Sequence, residues 1–211
     1  MIEGRWTLTA TLAGLLALFT LPILPILPVA VARADDSQGW AALELRFGGE
    51  GDLDIDGIGN VPDDDMEPGY GLSGGFDNGV HEHFMLGGRL SILSLQSDSG
   101  DDADLDRSLS ITVAFAPTLR LSVAPKWTLF ATLPLGLGHT SFDDDSLIED
   151  GMHGSIALYG GFVYDLGSVG LRMELGYTYQ EVFSEIDLGG GVSEDVDVEV
   201  DQFALTVGLA F

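Results

Sequence analysis

The last ten residues constrain the fold more than any other stretch. In Gln202-Phe203-Ala204-Leu205-Thr206-Val207-Gly208-Leu209-Ala210-Phe211, large apolar residues alternate with small or polar ones. A β-strand points successive side chains to opposite faces. Phe203, Leu205, Val207, Leu209 and Phe211 therefore share one face, and Gln202, Ala204, Thr206, Gly208 and Ala210 the other. A strand that is greasy outside and small or polar inside suits a transmembrane barrel, with lipid around it and a crowded interior.

The chain opens with a different signal. Arg5 supplies a weak positive region, an apolar stretch follows from Trp6 to Val31, and Ala32-Arg33-Ala34 fits a small-x-small cleavage site. This predicts a cleaved signal peptide over 1–34 and a single domain over 35–211. An uncleaved spanning helix is the rival, since the stretch is long enough. Pro22, Pro25 and Pro28 argue against it, because each removes a helix hydrogen bond and clashes with the turn before it. The chain has no cysteine, which excludes a disulfide and a lipid anchor on an N-terminal cysteine.

After residue 34, no apolar run is long enough for a spanning helix. A chain that then crosses a bilayer must do so as a closed barrel, because an open strand edge would leave N–H and C=O groups unpaired in hydrocarbon. Alternation predicts eight strands: 40–49, 70–76, 83–95, 109–121, 127–137, 156–165, 169–179 and 202–211. Short turns are expected at Asp77-Asn78-Gly79, where Asn-Gly tolerates positive φ, at Ala124-Pro125-Lys126 and at Leu166-Gly167-Ser168. The other connections are longer and acidic. That asymmetry matches short periplasmic turns and long outer loops. Aromatic residues fit two girdles, with Trp40, Phe84, Trp127, Tyr164 and Phe211 at the periplasmic rim and Tyr70, Tyr177 and Tyr179 at the outer one. Pro117 and Pro134 fall inside strands, where each lacks a ladder donor, so a bulge or a gap is expected there.

The sequence resembles the small eight-stranded outer-membrane β-barrels of the OmpA-transmembrane-domain and OmpX type. The resemblance rests on this pattern across residues 35–211. It implies an all-β, antiparallel up-and-down transmembrane barrel in a Gram-negative outer membrane, with extracellular loops, periplasmic termini, and lipid and lipopolysaccharide as surroundings. It also implies that the barrel-assembly machinery reads Phe211, with Phe203, Leu205, Val207 and Leu209 at matching alternate positions.

Charge narrows the function. The chain has 34 acidic and 8 basic residues. Removing Glu3, Arg5 and Arg33 with the signal leaves 33 and six. Such a surface repels nucleic acid. Inward positions carry Glu44, Arg46, Arg89, Arg120, Arg172 and Glu174. These predict a lumen ion-pair network that holds the barrel shut, since buried charges must pair. A narrow ion or solute channel is the rival reading. Eight strands leave an interior just wide enough for side chains to fill, which favours the plug.

The acids concentrate in 50–67, 97–107, 139–151 and 181–201. Asp52-Leu53-Asp54-Ile55-Asp56-Gly57 matches the first half of a calcium loop, with oxygens at positions 1, 3 and 5 before the turn glycine. The second half departs, with Gly59 where a hydrophobic residue is usual and Asp63 in place of the glutamate. A high-salt habitat would explain the acidity without a ligand, because screening at molar salt reaches about 3 Å. His139-Thr140-Ser141 resembles the His-x-Ser of lipid A deacylase barrels, which implies Ser141 as nucleophile, His139 as base and Glu149 as carboxylate. Phe142 stands where that family carries asparagine. His81 and His83 could ligate a metal but have no third partner in view. The reading is a monomeric, non-enzymatic surface protein without a resident cofactor, with a channel or a hydrolase as alternatives.

Overall fold

In the computed structural model the described residues are 37–55, 59–95, 108–142, 148–187 and 193–211. The signal segment 1–34 and Asp56 lie outside them. The strands are β1 (Ser37–Phe47), β2 (Glu50–Ile55), β3 (Gly59–Asp65), β4 (Gly69–His81), β5 (Phe84–Leu95), β6 (Ser108–Ala124), β7 (Trp127–Thr132), β8 (Leu135–Phe142), β9 (Gly151–Asp165), β10 (Gly170–Asp187) and β11 (Ser193–Ala210). All neighbouring pairs are antiparallel, and β1 also pairs with β11, which closes the wall. β7 and β8 are two halves of one stave, so eight staves form the barrel. β2 and β3 form a hairpin added beside β11.

The stagger follows from the register. Along one row, Phe47 faces Phe203, Phe203 faces Tyr177, and Tyr177 faces Leu158. The row crosses the β7–β8 break, where the Leu133 N–H donates to the Pro117 carbonyl. It then runs through Leu86 and Asn78 to Ser37. It rejoins β1 ten residues from its start, at 37 instead of 47. Eight staves with that stagger tilt by roughly 40°. The apolar run 203–211 then rises roughly 20–25 Å, the height of an outer-membrane hydrophobic band.

The outward face is apolar as alternation demands. Leu43, Leu72, Val113, Leu129, Leu137, Leu175 and Leu209 are exposed. Aromatic pairs mark the rims: Trp127 against Tyr164 at 4.8 Å below, and Tyr177 against Phe203 at 5.6 Å above. Trp40 is the exception to the expected girdle. It is 4% exposed and faces inward, on the same side of β1 as Glu44 and Arg46.

Two other expectations change, and the gap expected at proline is present. Asp77-Asn78-Gly79 is not a turn: Asn78 pairs with Leu86 and Gly79 with Met85, and the chain reverses at Glu82-His83 after a bulge at Val80. The break at Leu133-Pro134 is the local gap that proline demands, and Pro117 lies across from it inside β6. The described parts of 50–67 and 181–201 are largely strands rather than loops. β10 and β11 continue past the outer aromatic rim as a long hairpin, joined by β2 and β3.

Above the rim the barrel turns inside out. On β11 the outward side chains change from Phe203 to Asp201, Glu199 and Asp197, while Val196, Val198 and Val200 turn inward. Those valines, with Val182, Ile186, Ile55, Met66, Leu93, Leu95 and Ile148, form an apolar core outside the membrane band. Water surrounds this part of the wall, so the ordinary burial rule returns. On the β1 side the phase changes through one extra residue: Phe47 faces Phe203, but Gly51 faces Val200. Gly48 at φ 60° and Gly49 at φ 99° take the bend, as in a β-bulge that needs glycine.

Candidate functional site

The lumen is filled in layers. At the short-turn end Trp40, Ala42, Phe130, Val163 and Ala210 pack together. Above them lies a buried ladder of alternating charge. Arg46 Nε donates to Glu44 at 3.1 Å, and Arg89 NH2 to the other Glu44 oxygen at 2.9 Å. Arg89 NH1 reaches Glu174 at 2.8 Å. Arg172 bridges Glu174 at 2.6 Å and Asp77 at 3.1 Å. Three guanidinium groups thus meet three carboxylates, and each inner member of the ladder has two partners. Aromatic rings hold the cations flat. Arg89 lies 4.2 Å from the Tyr159 ring centroid, and Arg172 4.4 Å from that of Trp40 and 4.3 Å from that of Phe130. These contacts add attraction where water is excluded.

A neutral polar layer follows toward the outside. His153 hydrogen-bonds Thr112 at 2.8 Å and Thr140 at 2.9 Å, and Gln180 donates to Thr140 and Ser110. The apolar outer core closes the top. From end to end, the cylinder alternates apolar, charged, polar and apolar layers.

Strand parity alone placed Glu44, Arg46, Arg89, Arg172 and Glu174 inside, and the structure joins them. Arg120 stands in the inward register near the short-turn end, cross-strand from Phe130. Sequence reasoning missed Asp77, Tyr159 and Trp40. Asp77 was hidden by the Asn-Gly turn signal. Trp40 shares the parity of Glu44 and Arg46 on its strand, and Tyr159 has the opposite parity to the rim residue Tyr164 on its own; those were the usable clues.

The outer acids form cross-strand rows. Glu181 faces Glu199, which faces Asp52, while Asp197 faces Asp54. Like charges directly opposite one another destabilise a sheet. Burial, then Glu199 and Asp197, push the Glu181 carboxyl above its ordinary range. Asp201 ties the rim together, accepting from the Tyr177 hydroxyl at 2.5 Å and the Glu50 N–H at 3.0 Å. Asp52-Leu53-Asp54-Ile55 is extended strand, not a turn wrapped around a cation. Among the described residues, no three histidine or acidic side chains converge as a metal site. His81 and His83 flank the exposed Glu82 turn.

The hydrolase triad is not assembled as read. His139 and Ser141 both lie on the outward side of β8. Asp150, not Glu149, approaches His139, at 3.6 Å from its Nε2. The Glu149 backbone is instead bound to β10 through Glu185 and Ser184. Among the described residues, Ser141 makes no side-chain hydrogen bond to His139, and the Phe142 N–H is already engaged by Asp150. A nucleophile needs contact with its base, so this arrangement falls short of an activated serine.

Solved structures supply the comparison. OprG, an outer membrane protein of Pseudomonas aeruginosa, superposes with a TM-score of 0.61 at 14% identity, covering 82% of this chain and 93% of that one. The outer membrane protein AlkL superposes with a TM-score of 0.55 at 17% identity, over 83% and 89%. The fold is that of a small outer-membrane β-barrel. Together with the lipid-facing exterior, it places this barrel in the outer membrane. The barrel matches no family model and no curated protein sequence.

Proposed function

We propose that this barrel is a closed, non-enzymatic surface protein that holds an acidic sheet above the outer leaflet as an interaction face. The observation that carries the reading is the layered interior, with apolar cores at both ends of a fully paired charge ladder. A filled eight-stave cylinder leaves no continuous water path. What remains for contact with the surroundings is the outer sheet of β10, β11, β2 and β3, with its rows of carboxylates. The short-turn end, with both described termini, faces the periplasm, and the long hairpins face out. Lipopolysaccharide surrounds the wall, and Phe211 serves assembly. The barrel works as a monomer. Hard divalent cations such as calcium fit the carboxylate rows as neutralising counter-ions, since they prefer oxygen ligands.

Two measurements on the purified barrel and on cells test this. In planar bilayers the expected result is an unchanged baseline, and well-resolved conductance steps would establish the channel reading instead. On cells, replacing Glu181, Asp197 and Glu199 by Gln or Asn is expected to reduce capture of a cationic peptide such as polylysine. Equal capture by both would remove the acidic sheet as the interaction face.

A further inference from the structure

Two large apolar side chains stand outward above the membrane band. Met152 on β9 is 60% exposed and Phe183 on β10 is 42% exposed, and they face each other across the strands. The stagger of the barrel fixes their height. Ten residues shared over eight staves lift the strands by slightly more than one residue per stave. The level of Phe203 on β11 therefore meets β10 near Thr178 and β9 near Ile156. Met152 then lies about 9 Å and Phe183 about 12 Å above the rim. The headgroup layer is only about 5–8 Å deep, so both side chains reach beyond the acyl chains.

Carboxylates of the outer sheet share that level. Phe183 faces Asp197 on β11, and Asp197 faces Asp54 on β2. One row below, Glu181 faces Glu199 on one side and Gly154, which carries no side chain, on the other. The charges that act on Glu181 are those of Glu199 and Asp197, and both are negative. An apolar pair thus adjoins carboxylates that lack a counter-charge. Apolar surface in water favours cover, and facing carboxylates favour cations. A metal ion would leave Met152 and Phe183 in water. Acyl chains end below them. A second copy would press its own carboxylates against these. A single ligand meets both needs only if it carries an apolar face and a row of cations.

Taking the outer sheet as the interaction face, we propose that this strip docks a cationic amphipathic peptide lying along the bilayer surface. Its apolar side rests on Met152 and Phe183, and its Lys or Arg side chains meet Glu181, Asp197 and Glu199.

Two peptides of one composition test this on the barrel in zwitterionic nanodiscs, with binding to empty nanodiscs subtracted. One is a Leu/Lys helix with segregated faces, and the other has the same residues scrambled. The segregated peptide is expected to bind about tenfold more tightly, through the apolar area it covers. The Met152→Ser, Phe183→Ser double variant should erase that difference and leave the scrambled peptide unchanged, whereas Glu181→Gln with Glu199→Gln should weaken both. Equal binding of the two peptides, with loss in the carboxylate variant, would keep the acidic sheet as the interaction face but overturn the apolar strip. Binding of neither peptide would overturn both. If the double variant fails to fold, a benzophenone attached through Met152→Cys in this cysteine-free chain reads the contact directly. An adduct with the segregated peptide is expected. Adducts with lipid or with a second barrel alone would overturn the proposal.

Discussion

Arg89 is the keystone of the lumen, and its removal gives the sharpest test of the plug. Its guanidinium bridges Glu44 and Glu174, which are 0% and 1% exposed, and stacks between the rings of Trp40 and Tyr159. Arg89→Met fills similar space but leaves two buried carboxylates sharing the remaining cations. Removing one partner of a buried pair costs about 3–5 kcal/mol. The lost ring contacts add roughly 1 kcal/mol, partly recovered by the methionine. Arg89→Lys keeps the charge but, as a point donor without the fork, cannot span both carboxylates, so it should fall between. Adding Glu174→Gln to Arg89→Met removes one stranded charge, while Arg172 keeps Asp77. Stability should then partly return. The assay is reversible urea unfolding in lipid vesicles, followed by tryptophan fluorescence and by the gel shift between folded and boiled protein. A loss below about 1 kcal/mol for Arg89→Met would refute the argument that this ladder holds the cylinder closed.

Three further outcomes follow from the outer half. A Cβ on Gly49 would lie 1.8 Å from the Asp201 carbonyl oxygen at a φ of +99°, whereas one on Gly160 meets nothing within 4 Å. Gly49→Ala should therefore cost about 1–3 kcal/mol and expose the β2–β3 hairpin to protease, with Gly160→Ala near neutral. Because the Glu181 carboxyl is raised in the folded state, the penalty of ionising it is absent below the ordinary glutamate range and appears as pH rises through the raised value. Hydrogen exchange in β10 and β11 should slow as pH falls from neutral toward that range, once corrected for the intrinsic rate, and Glu181→Gln should remove this trend. Raising salt from about 0.1 to 1 M shortens screening from about 10 to 3 Å and should raise the melting temperature through the carboxylate rows. A calcium effect no larger than that of sodium at matched ionic strength would leave simple screening as the explanation.

The barrel was legible because period two is the strongest signal a strand carries, and β6 and β11 keep one apolar phase across the membrane. The outer sheet was not, because the same alternation continues while its meaning reverses. Val196, Val198 and Val200 occupy the opposite parity to Phe203, Leu205 and Val207, and only the water boundary at Asp201 explains why. On β1 the reversal hides in one extra residue at Gly48-Gly49, which looks like any glycine pair until the partner strand is known. The Asn78-Gly79 dipeptide is a good local turn former, but the register of β4 against β5 extends the strands to the Glu82 turn. That extension carries Asp77 into the lumen. Parity showed which charges point inward. Which ones meet depends on the ten-residue stagger, which no single strand encodes. For the same reason His139 finds Asp150 rather than Glu149.

The barrel's placement in the bilayer turns on where the membrane boundary crosses β11. The chain has no cysteine, so single cysteines can be placed at outward positions from 195 to 209 and spin-labelled in vesicles. Labels at 205, 207 and 209 should favour oxygen over a water-soluble nickel reagent, and labels at 195, 197 and 199 should do the reverse, with the crossover between 201 and 203. Nickel access at 205 and 209 equal to that at 197 would contradict it.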